Sequence, residues 1–536
     1  MTRTPTLLAV LLLAACGPSA RRDAASEPRL TRHAELVNFF TDWRGFQRPK
    51  LVDGVPDYSP AAMAAQRTEL VNWQRRLAAF DTTGWTIPQQ VDYQMVRAEL
   101  NGLDFDHRVL QPWAKNPGFY VTVYTDQSDQ PAREGPFAYG AVELWNPNAQ
   151  PEPGLRAIPG LLAQARKNLT GDGADLWTWG TRALKQQAAD LARIADSAGP
   201  LKELAGSAKV ATDSLVAWLE AEAPKKTGPS GIGVTNYDWY LKHVQLVPYT
   251  WAEEVALMQR ELARAWTSLA LEEEKHTRLP QPVPVASAAE YDRRFNAGVS
   301  EYMKFLKQHD LLTIRDDMEP ALRARIGSYA AGPREFFGEV DYRDPEVMRT
   351  HGYHWFDLAR LEHDPPGSPM RRVPLLYNIF NTRTEGHATG WEELMLQAGM
   401  FDARPRSREL IYILLAERAA RALGDLRMHA NEFNLEQAAA FTSANTPRGW
   451  LSLEGGLVRG EQSLYLQQPA YGTSYLIGKL QIEAAIAARK EQEGDGFSFK
   501  RFMDDFNAAG LVPASLLRWE LTGSKPPEVA KMLDAP

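Results

Sequence analysis

Apolar residues recur every three or four positions over most of this chain, the spacing that lines one face of an α-helix. In TWAEEVALMQRELARAW, the residues Trp251, Val255, Met258, Leu262 and Ala265 fall on one such face. Thr250 with Glu253 three positions on forms a capping box, satisfying first-turn amides that the helix leaves unbonded. RELIYILLAERAARALGDLRMHANEF is apolar nearly all round at its start, which predicts a buried helix. PGFYVTVYTD, Pro117 to Asp126, is one of the few stretches that alternate like a half-buried strand. The Gly/Pro-rich segment APKKTGPSGIGVTN, Ala223 to Asn236, is the clearest internal break. The pattern predicts a mostly α, multi-helix fold in two lobes, roughly residues 31–224 and 237–536, around a central cleft. Clefts between lobes are favoured places for pockets.

The N-terminus departs from this pattern. Arg3 precedes an apolar run, Leu7 to Ala15, too short to span a bilayer but suited to a signal-peptide core. The run ends in Leu13-Ala14-Ala15-Cys16, the bacterial lipobox pattern. Residues 1–15 are therefore expected to be a signal peptide, Cys16 the lipidated residue, and residues 16–30 a polar tether. Several acyl chains on one cysteine give stable anchoring. The expected location is the cell envelope, with Gly17 after the cysteine favouring the outer membrane in a Gram-negative host. Cys16 is the sole cysteine, so no disulfide is available. The net charge of −7 and the lack of a Lys/Arg cluster argue against a nucleic-acid partner. The expected partners are the membrane, through the anchor, and a peptide or small-molecule ligand.

Four stretches resemble the bacterial domain-of-unknown-function 885 family. Glu385-Gly386-His387-Ala388-Thr389-Gly390-Trp391-Glu392 resembles its E-G-W-A-x-Y-A-E pattern. Arg421 to His429 resembles its R-L-V-V-D-x-x-x-H, with Arg421, Asp425 and His429 in place. Leu464-Tyr465, Pro469 and Ser474-Tyr475-Leu476-Ile477-Gly478-Lys479 resemble its terminal R-Y-x-x-x-P-G-Q-A-x-S-Y-x-x-G-K. GIGVTNYDWYLKHVQLVPYTWAEE is similar to the approach to its catalytic half, and the likeness spans roughly residues 230–524. That family is similar to helical gluzincin metallopeptidases. The resemblance thus implies a metallopeptidase-like fold in which H-E-x-x-P-G-H supplies two zinc ligands and a general base, and the Glu of E-G-W the third ligand.

A catalytic zinc takes three protein ligands and keeps one position for water. With the family's Pro-Gly on Pro366-Gly367, the first ligand position holds Glu362, the base position His363 and the second ligand position Ser368. All three differ from the family, and no H-E-x-x-H occurs elsewhere. Glu385 keeps the third-ligand position. The standard zinc site is therefore absent, and two readings follow. In the first, the envelope protein binds peptides or small ligands in its cleft and needs no cofactor. In the second, it is a metal-dependent, peptidase-like hydrolase whose zinc ligands are drawn from Glu362, His363, Glu385, His387 and His429. The resemblance also implies that Arg421, Asp425 and His429, at i, i+4 and i+8, line the cleft from one helical face. His429 and Tyr475 would donate to a bound carbonyl or oxyanion, and Arg421 would take a peptide carboxylate. His387, two positions from Glu385, points away from it on a helix. His351 and His354 in THGYHWFDL form a possible ligand pair at i, i+3, although the neighbouring Tyr and Trp favour packing. Glu392 matches the family's Glu and is expected to face inward; Glu393 beside it is open to either face.

Overall fold

The computed structural model describes residues 31–131, 137–197, 199–372 and 375–534. The expected signal peptide, Cys16 and the tether lie outside these residues. Helices make up nearly all of the regular structure, as the apolar spacing predicts. Among the described residues the paired strands are two short sets: Leu51–Val52 with Val55–Pro56, antiparallel, and Val123–Tyr124 with Val142–Glu143, parallel. The alternation from Pro117 to Asp126 therefore yields only two residues of strand. Its first part is a 3-10 turn, Pro117–Tyr120, started by Asn116 accepting a bond from the Gly118 amide.

The Trp251–Lys275 helix begins as its capping box requires. The Thr250 side chain accepts from the Glu253 amide, and the Glu253 carboxylate accepts from the Thr250 amide at 2.7 Å. It lies along the Arg408–His429 helix, whose residues are buried almost throughout. Two more helices share that deep position, Asn381–Gln397 and Tyr471–Glu493. These last two cross glycine to glycine. A Cβ on Gly478 would stand 1.8 Å from the Thr382 carbonyl oxygen, and one on Gly386 would stand 2.4 Å from the Gly478 backbone. The crossing thus fixes Glu385 beside the first turn of the Tyr471–Glu493 helix.

The main apolar core runs from Leu36 to Leu533 and draws on both sides of the 223–236 segment. A second core lies wholly within Tyr58–Leu219. Two helices end in a widened π turn: Ile87–Phe105 continues into Asp106–Leu110, and Val234–Tyr240 into Leu241–Gln245. Each turn closes on a left-handed residue, Gln111 at φ 42° and Leu246 at φ 54°. Such local widening re-aims side chains and recurs at functional sites. No described helix is long and apolar enough to cross a membrane.

Candidate functional site

A break in the chain brings two histidines together. The Pro345–His351 helix is capped by Asp344, whose side chain accepts from the Glu346 amide, and it stops at Gly352. The Tyr353–His363 helix starts at once after Gly352. His351 therefore ends one helix while His354 lies in the first turn of the next, with their rings 5.0 Å apart. Glu385, from the Asn381–Gln397 helix, completes the group. One ligating atom from each of His351, His354 and Glu385 lies within 4.8 Å of the other two.

The details favour a shared cation. His354 Nε2 and Glu385 Oε2 stand 3.3 Å apart, yet they are not aligned for a hydrogen bond and neither atom makes one elsewhere. Ligand atoms bound to one tetrahedral zinc through bonds of about 2.0–2.1 Å stand roughly 3.3–3.4 Å apart. The spacing is that of two neighbouring ligands. His351 Nδ1 lies 2.9 Å from Glu392 Oε1, and Glu392 is gripped by both terminal nitrogens of Arg418 at 2.8 Å. Arg418 Nη2 also stands 3.2 Å from His351 Nδ1, so that nitrogen faces both a carboxylate and a guanidinium donor. A carboxylate behind a ligating histidine orients the ring and strengthens it as a ligand. The other oxygen of Glu385 accepts from Gln130 Nε2 at 2.9 Å and from the Tyr471 hydroxyl. Gln130 is held in turn by Thr384, whose hydroxyl donates to its Oε1 at 2.7 Å.

Without an ion a proton holds the pair. Burial opposes a charge on His354, but Asp129, Glu385 and Asp357 outweigh it and raise the ring to about 9. Burial likewise pushes the Glu385 carboxyl up, while His354, His351 and Tyr471 bring it down to about 2. Gln130 Nε2 also approaches His354 Nδ1 at 3.3 Å, a donor that suits an unprotonated Nδ1.

The other candidate residues are distributed differently. His387 does point away from Glu385. It packs among Tyr353, Trp391 and Phe506 with both ring nitrogens unbonded, and burial lowers it to about 3. Glu362 and His363 are exposed at the end of their helix and take no part in the group. The Ser368 hydroxyl donates to Asp92. Arg421, Asp425 and His429 share one buried helix, but their bonds turn inward. Arg421 is matched by Glu417 at 3.1 Å and by Glu461, with its guanidinium 4.7 Å from the Tyr475 ring centre. His429 Nε2 donates to the Tyr465 carbonyl at 3.1 Å, and burial lowers the ring to about 4. Burial and Glu254 raise Asp425 well above the carboxylate range. Glu392 faces inward onto His351 and Arg418, and Glu393 is paired with Arg264 and Lys479.

A groove of about 690 Å³ runs beside the three-residue group, with Gln130, Tyr124, Tyr139, Trp145 and Leu464 in its walls. Glu417, the partner of Arg421, makes no hydrogen bond through either carboxylate oxygen. Burial pushes Glu417 and Glu461 upward despite Arg421, so this pair retains a proton near neutrality.

Comparison with known proteins gives a family match over part of the chain and a shared fold. The family model described as bacterial protein of unknown function (DUF885) matches residues 352–521, a span that contains His354, Glu385, Glu392, Arg421 and Tyr475. No curated protein sequence matches the chain. Two solved structures share the fold. One is a protein from Shewanella oneidensis assigned as a lipoprotein of unknown function, 17% identical, with a TM-score of 0.67 over 91% of this chain and 99% of the other. The second, assigned as a lipoprotein from Colwellia psychrerythraea, is 15% identical, with a TM-score of 0.60 over 92% of this chain and 97% of the other.

Proposed function

We propose that this chain is a lipid-anchored envelope protein with a metallopeptidase-like hydrolase site, in which His351, His354 and Glu385 replace the family's standard zinc ligands. The observation that carries the reading is the pair His354 Nε2 and Glu385 Oε2, buried, unbonded and 3.3 Å apart, with His351 at hand. Two histidines and one carboxylate are a ligand set of catalytic zinc. The Leu-Ala-Ala-Cys motif at Cys16 and the lipoprotein assignment of both structural neighbours support the anchor.

His351, His354 and Glu385 would hold the zinc, which when bound would supply Lewis-acid chemistry for amide hydrolysis. The chain's own groups do the rest. Glu392 and Arg418 hold the His351 ring in place from its Nδ1 side. Gln130 and Tyr471 hold Glu385 by one oxygen and leave the other toward His354. The groove past Gln130 receives an extended substrate.

Elemental analysis of protein purified without chelator, joined to peptidase assays, tests this. One zinc per chain is expected, lost in His354→Ala and Glu385→Ala together with chelator-sensitive hydrolysis. Wild-type protein that takes up no stoichiometric zinc or similar divalent ion would overturn the reading. The His354–Glu385 contact would then be a buried ion pair beneath a metal-free binding groove.

A further inference from the structure

A second, smaller cavity shares Phe137, Tyr139 and Leu376 with the groove beside Gln130. Its walls are aromatic, from Tyr58, Trp113, Phe119 and Tyr240 as well as Tyr139, and a single carboxylate, Asp106, lines it. That carboxylate is placed with care. Asp106 opens the π turn after the Ile87–Phe105 helix, and its side chain accepts from the Tyr377 hydroxyl at 2.9 Å. The Tyr377 ring fits there because position 102 is glycine, where a Cβ would come within 2.3 Å of the ring. Among the described residues no Lys, Arg or His forms an ion pair with Asp106. Of the nearby cations, Arg44 faces Glu99 at 3.7 Å and Arg48 bonds the Tyr139 side chain. Burial, and then the like charge of Glu99, push Asp106 up to about 7 despite the Tyr377 bond, the state of a carboxylate whose counter-charge is missing.

We propose that this cavity is a binding pocket for a linear primary ammonium group, such as a lysine side chain, and that it selects the residue a substrate presents beside the scissile bond. Aromatic faces attract a cation by their quadrupoles, and a desolvated carboxylate at the same place supplies the full counter-charge. The cavity is small, about 70 Å³, a space that suits a narrow, unbranched chain such as aminobutyl. The pocket stands on its own geometry; its role in selecting substrates rests on the hydrolase reading above.

Isothermal titration of the full-length protein with n-butylamine and with n-butanol tests the pocket without any turnover. The amine is expected to bind saturably, at least tenfold more tightly than the alcohol, and Asp106→Asn is expected to weaken it at least tenfold. Tyr377→Phe keeps the carboxylate and should change amine binding less than threefold. Equal binding of amine and alcohol, no saturable amine binding, or an unchanged affinity in Asp106→Asn would overturn the proposal. If Asp106→Asn does not fold, the amine–alcohol comparison on the wild type decides alone. Peptides carrying lysine or norleucine at one position, offered to zinc-loaded protein, separate the two proposals. Amine binding without hydrolysis removes the hydrolase and leaves the pocket. Hydrolysis with no preference for lysine removes the selecting role and leaves the hydrolase.

Discussion

His354 is held by Glu385 on one side and by Gln130 on the other, and its removal strands a buried carboxylate. In zinc-free protein His354→Ala is expected to cost about 3–5 kcal/mol in urea unfolding, the range for breaking a buried pair from one side. His387→Phe should behave in the opposite way. Its ring already lies among Tyr353, Trp391 and Phe506 with no bond to either nitrogen. A near-isosteric apolar ring should therefore change stability by less than about 1.5 kcal/mol and leave zinc content unchanged, as elemental analysis would read. A loss of zinc in that variant would place His387 among the ligands. At this scale the sequence is only partly legible. Glu385 is visible through its motif, and the i, i+2 rule correctly turns His387 away. His351 and His354 are visible as a pair at i, i+3, and the helix divides between them at Gly352. The surrounding Tyr353 and Trp355, which suggest packing, hide their convergence. Nothing near Gln130 in the chain marks it as a partner of residues so distant.

The helices themselves are readable because their apolar period reflects which face meets the core, and the Thr250–Glu253 box marks a start to the residue. The crossing of Asn381–Gln397 and Tyr471–Glu493 is less so, since a glycine in a helix pattern shows permissiveness and not what it touches. Gly478→Ala would drive a methyl into the Thr382 carbonyl, which no rotamer can relieve. We expect a loss of at least about 3 kcal/mol, the upper end for overpacking, measured by denaturant midpoint. A loss below 1 kcal/mol would show that the two helices can separate. The Trp251–Lys275 helix carries a pH prediction. Glu254 is fully buried, and burial raises it to about 8 from 4.5. Its folded state holds the proton more tightly than the unfolded chain does. Stability is therefore unaffected below pH 4.5 and falls as pH rises from 4.5 to 8, by on the order of 5 kcal/mol from this group alone. Glu254→Gln keeps an acceptor for Tyr237 and removes the charge. The stability difference between variant and wild type should grow in the variant's favour from pH 5 to pH 8. A difference independent of pH would refute the assignment.

For the whole molecule, the expected anchor and the centre make separable predictions. Cys16→Ser should move the protein from the membrane fraction to the soluble one without changing zinc content, and a variant that stays membrane-bound would rule out anchoring through Cys16. Zinc at a hundredfold excess over its dissociation constant should stabilise the folded chain by about 2.7 kcal/mol, seen as a rise in melting temperature that His354→Ala abolishes. Gln130 meets His354 and Glu385 across 224 and 255 residues of chain. During synthesis, then, one wall of the centre emerges long before the other and waits without its partner. Contacts that close so long a loop form late, because the entropy of closure must be met before the contacts reward it. Uptake of an ion at this place is for that reason a mark of maturity. A chain that has done so has already joined its early-made half to its late-made half.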